Sequence, residues 1–557
     1  MESDTTAERL RPWRRHLPAL AAYLLLTMVY CHRVVGHLFD HLAGHGGDGW
    51  QNLWNMWWLR QAITSGVNPY FTTLLHHPHG HTLLYHTLNP FNGMLALPFD
   101  FLLGQPAAYN LVFLFSFVAS GFTMYLLAHE LGAGRVGAFL AGCLFTFSPF
   151  HFAHAQGHLQ LTAMEWLPLF LLLAWRLWQR GGVGNGLGAG LSLGMTTFCS
   201  IYYLVAGVLV AGLAAVYLAV RQPRRLVDRR LWWSLAAAGA SFLLSGGVLV
   251  VAMLLSYRQA GLAPAHQSSY WSADLQAFLV PSWILAYGDW FAGISSRWTG
   301  NSAECSQYLG LLPLGLGVVA LWPGSRRPRP WGWLALLLLG VVLSLGPHLH
   351  WGGRIHHQLL LPFGWLERLL PWLGLSGAPV RWHIVTLVAL AVLAGLGLGR
   401  IHHRLLQAGS RRRMLLLAAI IAACLAEYWP RWVETRPLPR LEFCRQIARA
   451  PAGEAVYDLG DGNEALLRQT LHHHPLVGGY IARTSRRALD FLRSQPLLRI
   501  LRGESSAPAS RVLALAAGLR LRHLIVPAGR QRPERLRRLG LVLLAQEAGL
   551  QWWAIPW

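Results

Sequence analysis

Residues 46–58 read GGDGWQNLWNMWW, a polar and aromatic segment that follows the first hydrophobic run of the chain. Asp48 stands in a glycine turn and is the only carboxylate between Asp40 and Asp100. The segment after Asp48 is amphipathic and too polar to span a bilayer. A carboxylate held at a membrane surface by tryptophans predicts a functional site. The alternative is that Asp48 caps the helix that starts near Trp50.

The composition is that of a multi-span membrane protein. Hydrophobic residues make up 54% of the 557 residues and charged residues 13%, which is too apolar for a soluble protein of this length. The net charge of +23 comes from arginines, and the chain has no lysine. These arginines cluster between hydrophobic runs, so they predict helix orientation and contact with anionic lipid rather than nucleic-acid binding. The six cysteines form no CxxC motif and predict neither a disulfide framework nor a zinc site.

The arginine clusters predict the topology. Arginines at residues 9–15 precede the apolar run Leu17–Val35 and predict an uncleaved first helix with a cytoplasmic N-terminus. The clusters at residues 221–230, 326–329 and 400–413 are expected on the same side. One apolar segment must then fail to cross, and Leu88–Leu103, which two prolines and an acid interrupt, is predicted to be re-entrant or interfacial. The alternative is that residues 187–220 form one bent span.

The predicted fold is mainly α, a polytopic membrane helix bundle of about eleven spans, with a small C-terminal α/β domain. The transmembrane domain covers residues 1–429, with outer loops at residues 36–106, 150–160, 258–304 and 350–381. Residues 430–557 alternate strand-like pieces, such as Ala455–Leu459, with helical ones and are expected outside the cytoplasmic (inner) membrane. The eleven predicted spans are Leu17–Val35, Ala107–Leu131, Val136–Pro149, Leu161–Leu177, Leu187–Ser200, Tyr203–Val220, Leu231–Tyr257, Tyr308–Trp322, Trp331–Leu345, His383–Leu398 and Met414–Tyr428.

Polar residues collect on the predicted outer face. The second outer loop reads HFAHAQGHLQ at residues 151–160, and histidines at this spacing could ligate a divalent cation or bind phosphate. Alternatively, they decorate the interface of a chain that contains 26 histidines. The weaker candidates for binding substrate or a metal are His86, His151, His154, His158, Gln160, Glu165 and Asp274.

Two charged residues in the later outer loops also need an explanation. Asp274 could bind a ligand, but a cap on the helix that follows it is the favoured interpretation. Arg381 lies at the outer mouth of a span, against the charge rule, and a lipid phosphate is a natural partner. The alternative is that Arg381 reaches up to the headgroups.

In these residues and their order, the chain resembles the GT-C-type integral membrane glycosyltransferases, in particular the poorly characterised bacterial members with a Gly-Asp-Gly first loop. The resemblance covers roughly residues 14–400. Its local signals are GDG at 47–49 followed by Gln51-Asn52 and Trp57-Trp58, then His154–His158, Asp274–Pro281 and GAPVR at 377–381. The layout is also similar, with a long first outer loop and a large outer loop after the seventh helix.

The resemblance implies a cell-envelope enzyme, an inverting hexosyl- or pentosyltransferase that uses a polyprenyl-phosphate-linked sugar at the outer face of the membrane. It implies Asp48 as the catalytic base, and Arg381 is expected to hold the donor phosphate. Relatives often pair acids where this second loop has histidines, so no cofactor is assigned and a divalent cation stays open. The alternatives are a transporter or flippase of lipid-linked sugars and a non-catalytic protein of the same fold. The expected partners are the donor and membrane lipids, without nucleic acid.

Overall fold

The computed structural model describes a mainly helical protein at residues 14–262, 267–301, 304–323, 329–370, 373, 377–405, 410–460 and 462–557. The predicted topology also uses four arginines that lie outside the described residues, namely Arg9, Arg11, Arg326 and Arg327. The helices are α1 (Leu17–Tyr30), α2 (His32–Gly36), α3 (Asp48–Thr64), α4 (Pro90–Leu103), α5 (Gln105–Glu130), α6 (Gly134–Thr146), α7 (Pro149–Ala155), α8 (Leu159–Thr162), α9 (Trp166–Arg180), α10 (Val183–Cys199), α11 (Ile201–Arg221), α12 (Arg229–Phe242), α13 (Val248–Ala260), α14 (Ala292–Ser295), α15 (Leu311–Leu321), α16 (Trp331–Ser344), α17 (Pro362–Leu369), α18 (His383–Arg404), α19 (Ser410–Glu427), α20 (Glu442–Ile447), α21 (Gly462–His472), α22 (Arg486–Ser494), α23 (Pro496–Arg502), α24 (Ala509–Gly518) and α25 (Pro533–Arg538). The strands are β1 (His41–Ala43), β2 (Phe71–Thr72), β3 (His81–Thr82), β4 (His348–Trp351), β5 (Arg354–Leu360), β6 (Thr435–Pro437), β7 (Ala455–Asp458), β8 (Leu521–Pro527), β9 (Val542–Glu547) and β10 (Leu550–Ala554).

Six helical segments of the described chain are long and apolar enough to cross a membrane. They are Gln105–Glu130, Gly134–Ala155, Leu159–Arg180, Ile201–Arg221, Arg229–Tyr257 and Pro379–Arg404. Each overlaps one of the eleven predicted spans, so the protein is a membrane protein. The other five predicted spans correspond to helices that are shorter or carry more charge, such as α1 with 14 residues and α19 with its arginines. The count of eleven therefore stays a prediction, as does the re-entrant placement of α4.

The chain forms two compact units. The first unit consists of Met1–Leu38, Asn110–Val250 and His266–Thr435, and it contains the six span-length segments apart from the ends of two of them. The second unit consists of Phe39–Tyr109, Val251–Ala265 and Arg436–Trp557. The first outer loop and the C-terminal segment thus fold into the same unit. The predicted division into a transmembrane domain at residues 1–429 and an outer α/β domain at residues 430–557 stays a prediction.

In the first unit, glycines allow helices to approach closely. A methyl group on Gly186 would lie 2.2 Å from the carbonyl oxygen of Ser234, and one on Gly190 would lie 2.1 Å from the carbonyl oxygen of Ala238. These two glycines are four residues apart on α10 and face α12, as in the small-residue contacts common between membrane helices. Gly137 of α6 meets α18 in the same way.

In the second unit, the C-terminal segment forms a four-stranded sheet with the order β7-β8-β10-β9. Strand β7 pairs with β8 in parallel, and β10 is antiparallel to both β8 and β9, with a bulge between Trp552 and Trp553. Strands β7, β8 and β9 overlap the strand-like segments of the sequence at residues 455–459, 523–527 and 541–544, and β10 is the fourth strand. Helix α21 follows β7 directly, so its N-terminus lies at the carboxyl end of that strand.

Helix α3 contributes its tryptophans to the core of the second unit. Trp54, Trp57 and Trp58 are 0%, 4% and 5% exposed and belong to one hydrophobic cluster with residues of the C-terminal sheet, including Ile525 and Trp552. From the sequence, these rings were expected to hold the segment at the membrane surface. That expectation is wrong for these three tryptophans, which are buried in the protein core. Full burial removes more of each ring's apolar surface from water than contact with the membrane on one side of the ring would.

Candidate functional site

Arg381 of the first unit is held by a buried carboxylate. Its Nε and Nη2 atoms donate to Oε1 of Glu304 over 3.1 and 2.8 Å. The side chains of Arg381 and Glu304 are only 12% and 3% exposed. The guanidinium carbon also lies 4.7 Å from the ring centroid of Tyr202, within the range of a cation–π contact. Arg381 is thus fixed between a charge and an aromatic face.

The local sequence explains this position of Arg381. Gly377 takes a positive φ of 59°, which suits glycine, and Pro379 begins a short 3-10 turn that ends at Trp382. Helix α18 starts at the next residue, so Arg381 lies one residue before the N-cap of a buried span. The GAPVR motif is therefore the entry turn of α18.

Two histidines of the second outer loop complete a cluster with Glu304. His154 Nε2 lies 3.6 Å from Glu304 Oε2, and His154 Nδ1 lies 3.4 Å from His158 Nδ1. His154, His158 and Glu304 each offer a ligand atom, and these atoms lie within 4.8 Å of one another. His154 belongs to α7, whose N-cap Ser148 accepts a hydrogen bond from the backbone of His151.

The donor set of this cluster suits a divalent cation. His154 Nε2 and Glu304 Oε2 are buried, and neither has a hydrogen-bond partner among the described residues. Buried polar atoms normally have a partner, so this pair indicates that a ligand, ion or water belongs there. Two imidazoles and one carboxylate are ligands that zinc and manganese accept. His154, His158 and Glu304 would hold such an ion.

Glu304 is ionised at neutral pH. Burial by itself would raise the pKa of the carboxyl, but Arg381, with His154 and His158, lowers it to about 2. The opposite charges of Glu304 and Arg381 cancel within the cluster. From the sequence, Arg381 was predicted to bind the donor phosphate, whereas Glu304 was not predicted.

The other candidates of the first unit lie in different surroundings. Both ring nitrogens of His151 face backbone carbonyls, those of Thr146 at 2.6 Å and Thr162 at 2.8 Å, so this histidine is engaged with the backbone. Asp274 is fully buried, and its carboxylate accepts from the backbone N–H groups of Gln276, Gly352 and Gly353, as a cap does.

Gln160 and Glu165 are buried and incompletely satisfied. Gln160 Oε1 and both carboxylate oxygens of Glu165 have no hydrogen-bond partner among the described residues. Glu165 is 3% exposed and directly precedes α9. Tyr203 lies within electrostatic range of Glu165, Glu304 and Arg381. An incompletely satisfied polar region thus accompanies the cluster in the first unit.

Asp48 of the second unit is the first residue of α3, and it is half-buried. Gly47, with a φ of 54°, is the N-cap residue, and no side chain makes the cap hydrogen bond. Asp48 therefore lies in the first turn of the helix rather than at the cap position. Its Oδ1 accepts a hydrogen bond of 3.1 Å from Nδ2 of Asn463, at the start of α21.

His86 lies near Asp48 and is neutral. Burial lowers the pKa of His86 to about 3, with His81 lowering and Asp48 raising it. Its Nδ1 accepts from the backbone N–H of Ala482 at 3.1 Å, which leaves the proton on Nε2 to be donated to Asn55 Oδ1 at 2.9 Å. His86 is thus a neutral ring whose two nitrogens both make hydrogen bonds.

One family model matches residues 16–427, which is most of the chain, and it describes a domain of unknown function, DUF6311. The protein belongs to the DUF6311 family. Its match begins just before α1 and ends at the last residue of α19, so the DUF6311 region includes both Asp48 and the Glu304–Arg381 cluster. Asn463, in the C-terminal segment, lies beyond the match. The chain matches no curated protein.

This DUF6311 protein is similar in structure to membrane glycosyltransferases. The arabinofuranosyltransferase AftD from Mycobacteria aligns with a TM-score of 0.61 and 17% identity over 97% of this chain and 40% of that one. The oligosaccharyltransferase of Archaeoglobus fulgidus, in a structure tethered to an acceptor peptide, aligns with a TM-score of 0.50 and 12% identity over 92% of this chain and 69% of that one. The chain therefore has the GT-C fold, which confirms the predicted resemblance. It spans 40% of the length of the arabinofuranosyltransferase.

Three residues of these sites escaped the sequence analysis: Glu304, Tyr202 and Asn463. Glu304 carried a usable signal, because it is a lone acid at the end of an outer loop and Arg381 needed a counter-charge. Tyr202 and Asn463 carried none, because an aromatic residue at a helix start and an amide in a polar turn are ordinary features.

Proposed function

We propose that this protein is a membrane glycosyltransferase that moves a sugar from a polyprenyl-phosphate donor to an acceptor on the outer face of the membrane, with inversion at the anomeric carbon. The observation that carries the proposal is the buried cluster of Glu304, Arg381, His154 and His158 in a chain with the GT-C fold. Transfer from a lipid phosphate requires stabilisation of an anionic leaving group, and this cluster offers the Arg381 guanidinium together with three side chains that could hold a divalent cation.

The pairing of Arg381 with Glu304 changes how a phosphate would bind. A guanidinium balanced by a carboxylate attracts an anion less than a free one does. A divalent cation held by His154, His158 and Glu304 would make the cluster positive and would supply charge stabilisation for the phosphate oxygens. Arg381, fixed by Glu304 and Tyr202, then offers its N–H groups without having to reorganise.

Asp48 is proposed as the general base. The acceptor hydroxyl oxygen forms a bond to the anomeric carbon while the bond from that carbon to the phosphate oxygen breaks. The hydroxyl proton passes to Asp48, and the polyprenyl phosphate leaves with the electron pair. Base catalysis of this kind contributes roughly 10²–10⁴-fold to the rate.

The proposed topology follows the arginine clusters. The N-terminus and the links at residues 221–230 and 400–413 face the cytoplasm, and residues 430–557 lie outside the inner membrane. The bundle of eleven spans, with α4 re-entrant, belongs to the same proposal. The partners are the lipid-linked sugar and the surrounding lipids.

The test uses the full chain in proteoliposomes with a panel of radiolabelled undecaprenyl-phosphate hexoses and pentoses and a cell-envelope extract as acceptor. We expect the native chain to release undecaprenyl phosphate from at least one donor, and Asp48→Asn to lower turnover by roughly 10²–10⁴-fold. Asp490→Asn, an exposed acid of α22, is the matched control and should keep native turnover. Full activity of Asp48→Asn would contradict the base assignment, and a native chain inactive on the whole panel would contradict the proposed donor class.

A further inference from the structure

The candidate base is contacted by a residue from the far end of the chain. Asn463 follows Asp48 by 415 positions and lies beyond the DUF6311 match, which ends at residue 427. Both residues belong to the second compact unit. Asp48, the isolated acid of the first outer loop, is therefore contacted by a polar side chain of the C-terminal segment.

The helices that carry the two residues are fixed to each other by other contacts. Trp54 of α3 is fully buried and donates through Nε1 to Oε1 of Gln469 in α21 over 2.7 Å. Gln469 in turn donates through Nε2 to the carbonyl oxygens of Leu74 and His474. The position of Asn463 is thus set by two anchored helices and not by the side chain alone.

The chemistry of the two side chains decides which one donates the hydrogen bond. An ionised carboxylate can only accept hydrogen bonds, so the amide must present its N–H₂ group to Asp48. A donor on a carboxylate favours the ionised form, which is the form that a general base needs. His86 and Tyr109 are titratable side chains within electrostatic range of Asp48, and Asn463 donates a hydrogen bond of 3.1 Å to its carboxylate.

We propose that Asn463 is a positioning residue for Asp48, so that the C-terminal segment completes the active site. Asn463 orients the carboxylate and keeps it ionised, and it acts only through Asp48. The inference rests on the proposed role of Asp48 as base, and it assigns to the C-terminal segment a function in the reaction itself.

The first test needs no substrate. A carbodiimide with glycine ethyl ester modifies protonated carboxyl groups, so the extent of Asp48 modification against pH, measured by mass spectrometry on the full chain in nanodiscs, reports its ionisation. We expect Asn463→Ala to move the midpoint upward by about one pH unit, a tenfold change, as loss of a charge-assisted hydrogen bond predicts. Asn463→Asp keeps the size but adds a like charge, and it should move the midpoint further. Gln446→Ala, an exposed amide of the same segment, should leave it unchanged.

The second test measures turnover on the donor panel. Asn463→Ala should lower kcat by about tenfold or more with an unchanged KM for the donor, and it should have no further effect in an Asp48→Asn background. An unchanged labelling midpoint in Asn463→Ala, even with lowered thermal stability, would reduce Asn463 to a structural role and overturn the inference. Full turnover of Asp48→Asn would instead refute the proposed role of Asp48 as the base, while the labelling would still report whether Asn463 controls the ionisation of Asp48.

Discussion

Replacing Glu304 by glutamine tests the buried ion pair directly, because the change keeps the shape of the side chain and removes its charge. Burial raises the pKa of the Glu304 carboxyl, but Arg381, with His154 and His158, lowers it from 4.5 to about 2, so the ionised form contributes to the stability of the folded protein at neutral pH. This contribution is fully present above pH 4.5 and is lost as the pH falls toward 2. Removing one partner of a buried pair generally costs about 3–5 kcal/mol, because the remaining charge is left buried without compensation.

The assay is the free energy of unfolding in mixed detergent micelles, measured by SDS titration for Glu304→Gln, Arg381→Met and the double variant. Each single variant should lose about 3 kcal/mol at pH 7, and the double variant should lose far less than the sum. Glu534→Gln, an exposed acid, is the control for the charge change alone. Manganese at 100 times its dissociation constant should add about 2.7 kcal/mol to the native chain and nothing to Glu304→Gln. Losses below about 1 kcal/mol in each single variant that add up in the double variant would show that Glu304 and Arg381 do not form a coupled buried pair.

Three further outcomes are expected. Gly190→Ala should lower the free energy of unfolding by about 1–3 kcal/mol, because its methyl group would meet the carbonyl oxygen of Ala238 at 2.1 Å, whereas Gly184→Ala, with nothing within 4 Å, should raise it slightly. His86 accepts a proton in the unfolded chain below pH 6.5 and in the folded chain only near its lowered pKa of about 3. The free energy of unfolding of the native chain should therefore fall by about 2 kcal/mol between pH 7 and pH 5 because of this residue. For His86→Asn, the fall over the same range should be smaller by that amount. Ala507→Cys should react with an impermeant maleimide in intact cells, and labelling only after lysis would overturn the proposed topology.

The sequence predicted the long helices because their signal is local. The apolar runs Ala107–Leu131 and Leu231–Tyr257 lie within one or two residues of the observed segments Gln105–Glu130 and Arg229–Tyr257. An apolar run of this length can satisfy its backbone only by forming a helix, whatever its neighbours are. The sequence said nothing about the wider turn at Leu243–Gly247 inside the second segment, because that turn depends on packing.

From the sequence, the candidate site could be predicted only for residues whose own charge or position is unusual. Arg381 stood out because its charge broke the topological rule, but its partner Glu304 lies 77 residues away in another loop. Asp48 stood out because it was isolated, but its contact with Asn463 depends on the C-terminal fold. The tryptophans after Asp48 gave a wrong prediction, because tryptophan is favoured both in protein cores and at membrane interfaces.

The ion pair itself supports a role in the site rather than in stability. Two well-packed apolar residues of similar volume would stabilise a buried position as well as Glu304 and Arg381 do, or better, because each ion loses its hydration on burial. A pair formed only for stability would also leave no polar atom unsatisfied, whereas Glu304 Oε2 and the facing His154 Nε2 remain without a hydrogen bond among the described residues. The arrangement keeps a carboxylate ionised and a guanidinium fixed beside two histidines, at a permanent cost in desolvation. That combination is expected where charge must be preorganised for a ligand, and it is why the Glu304→Gln and manganese measurements belong in one experiment.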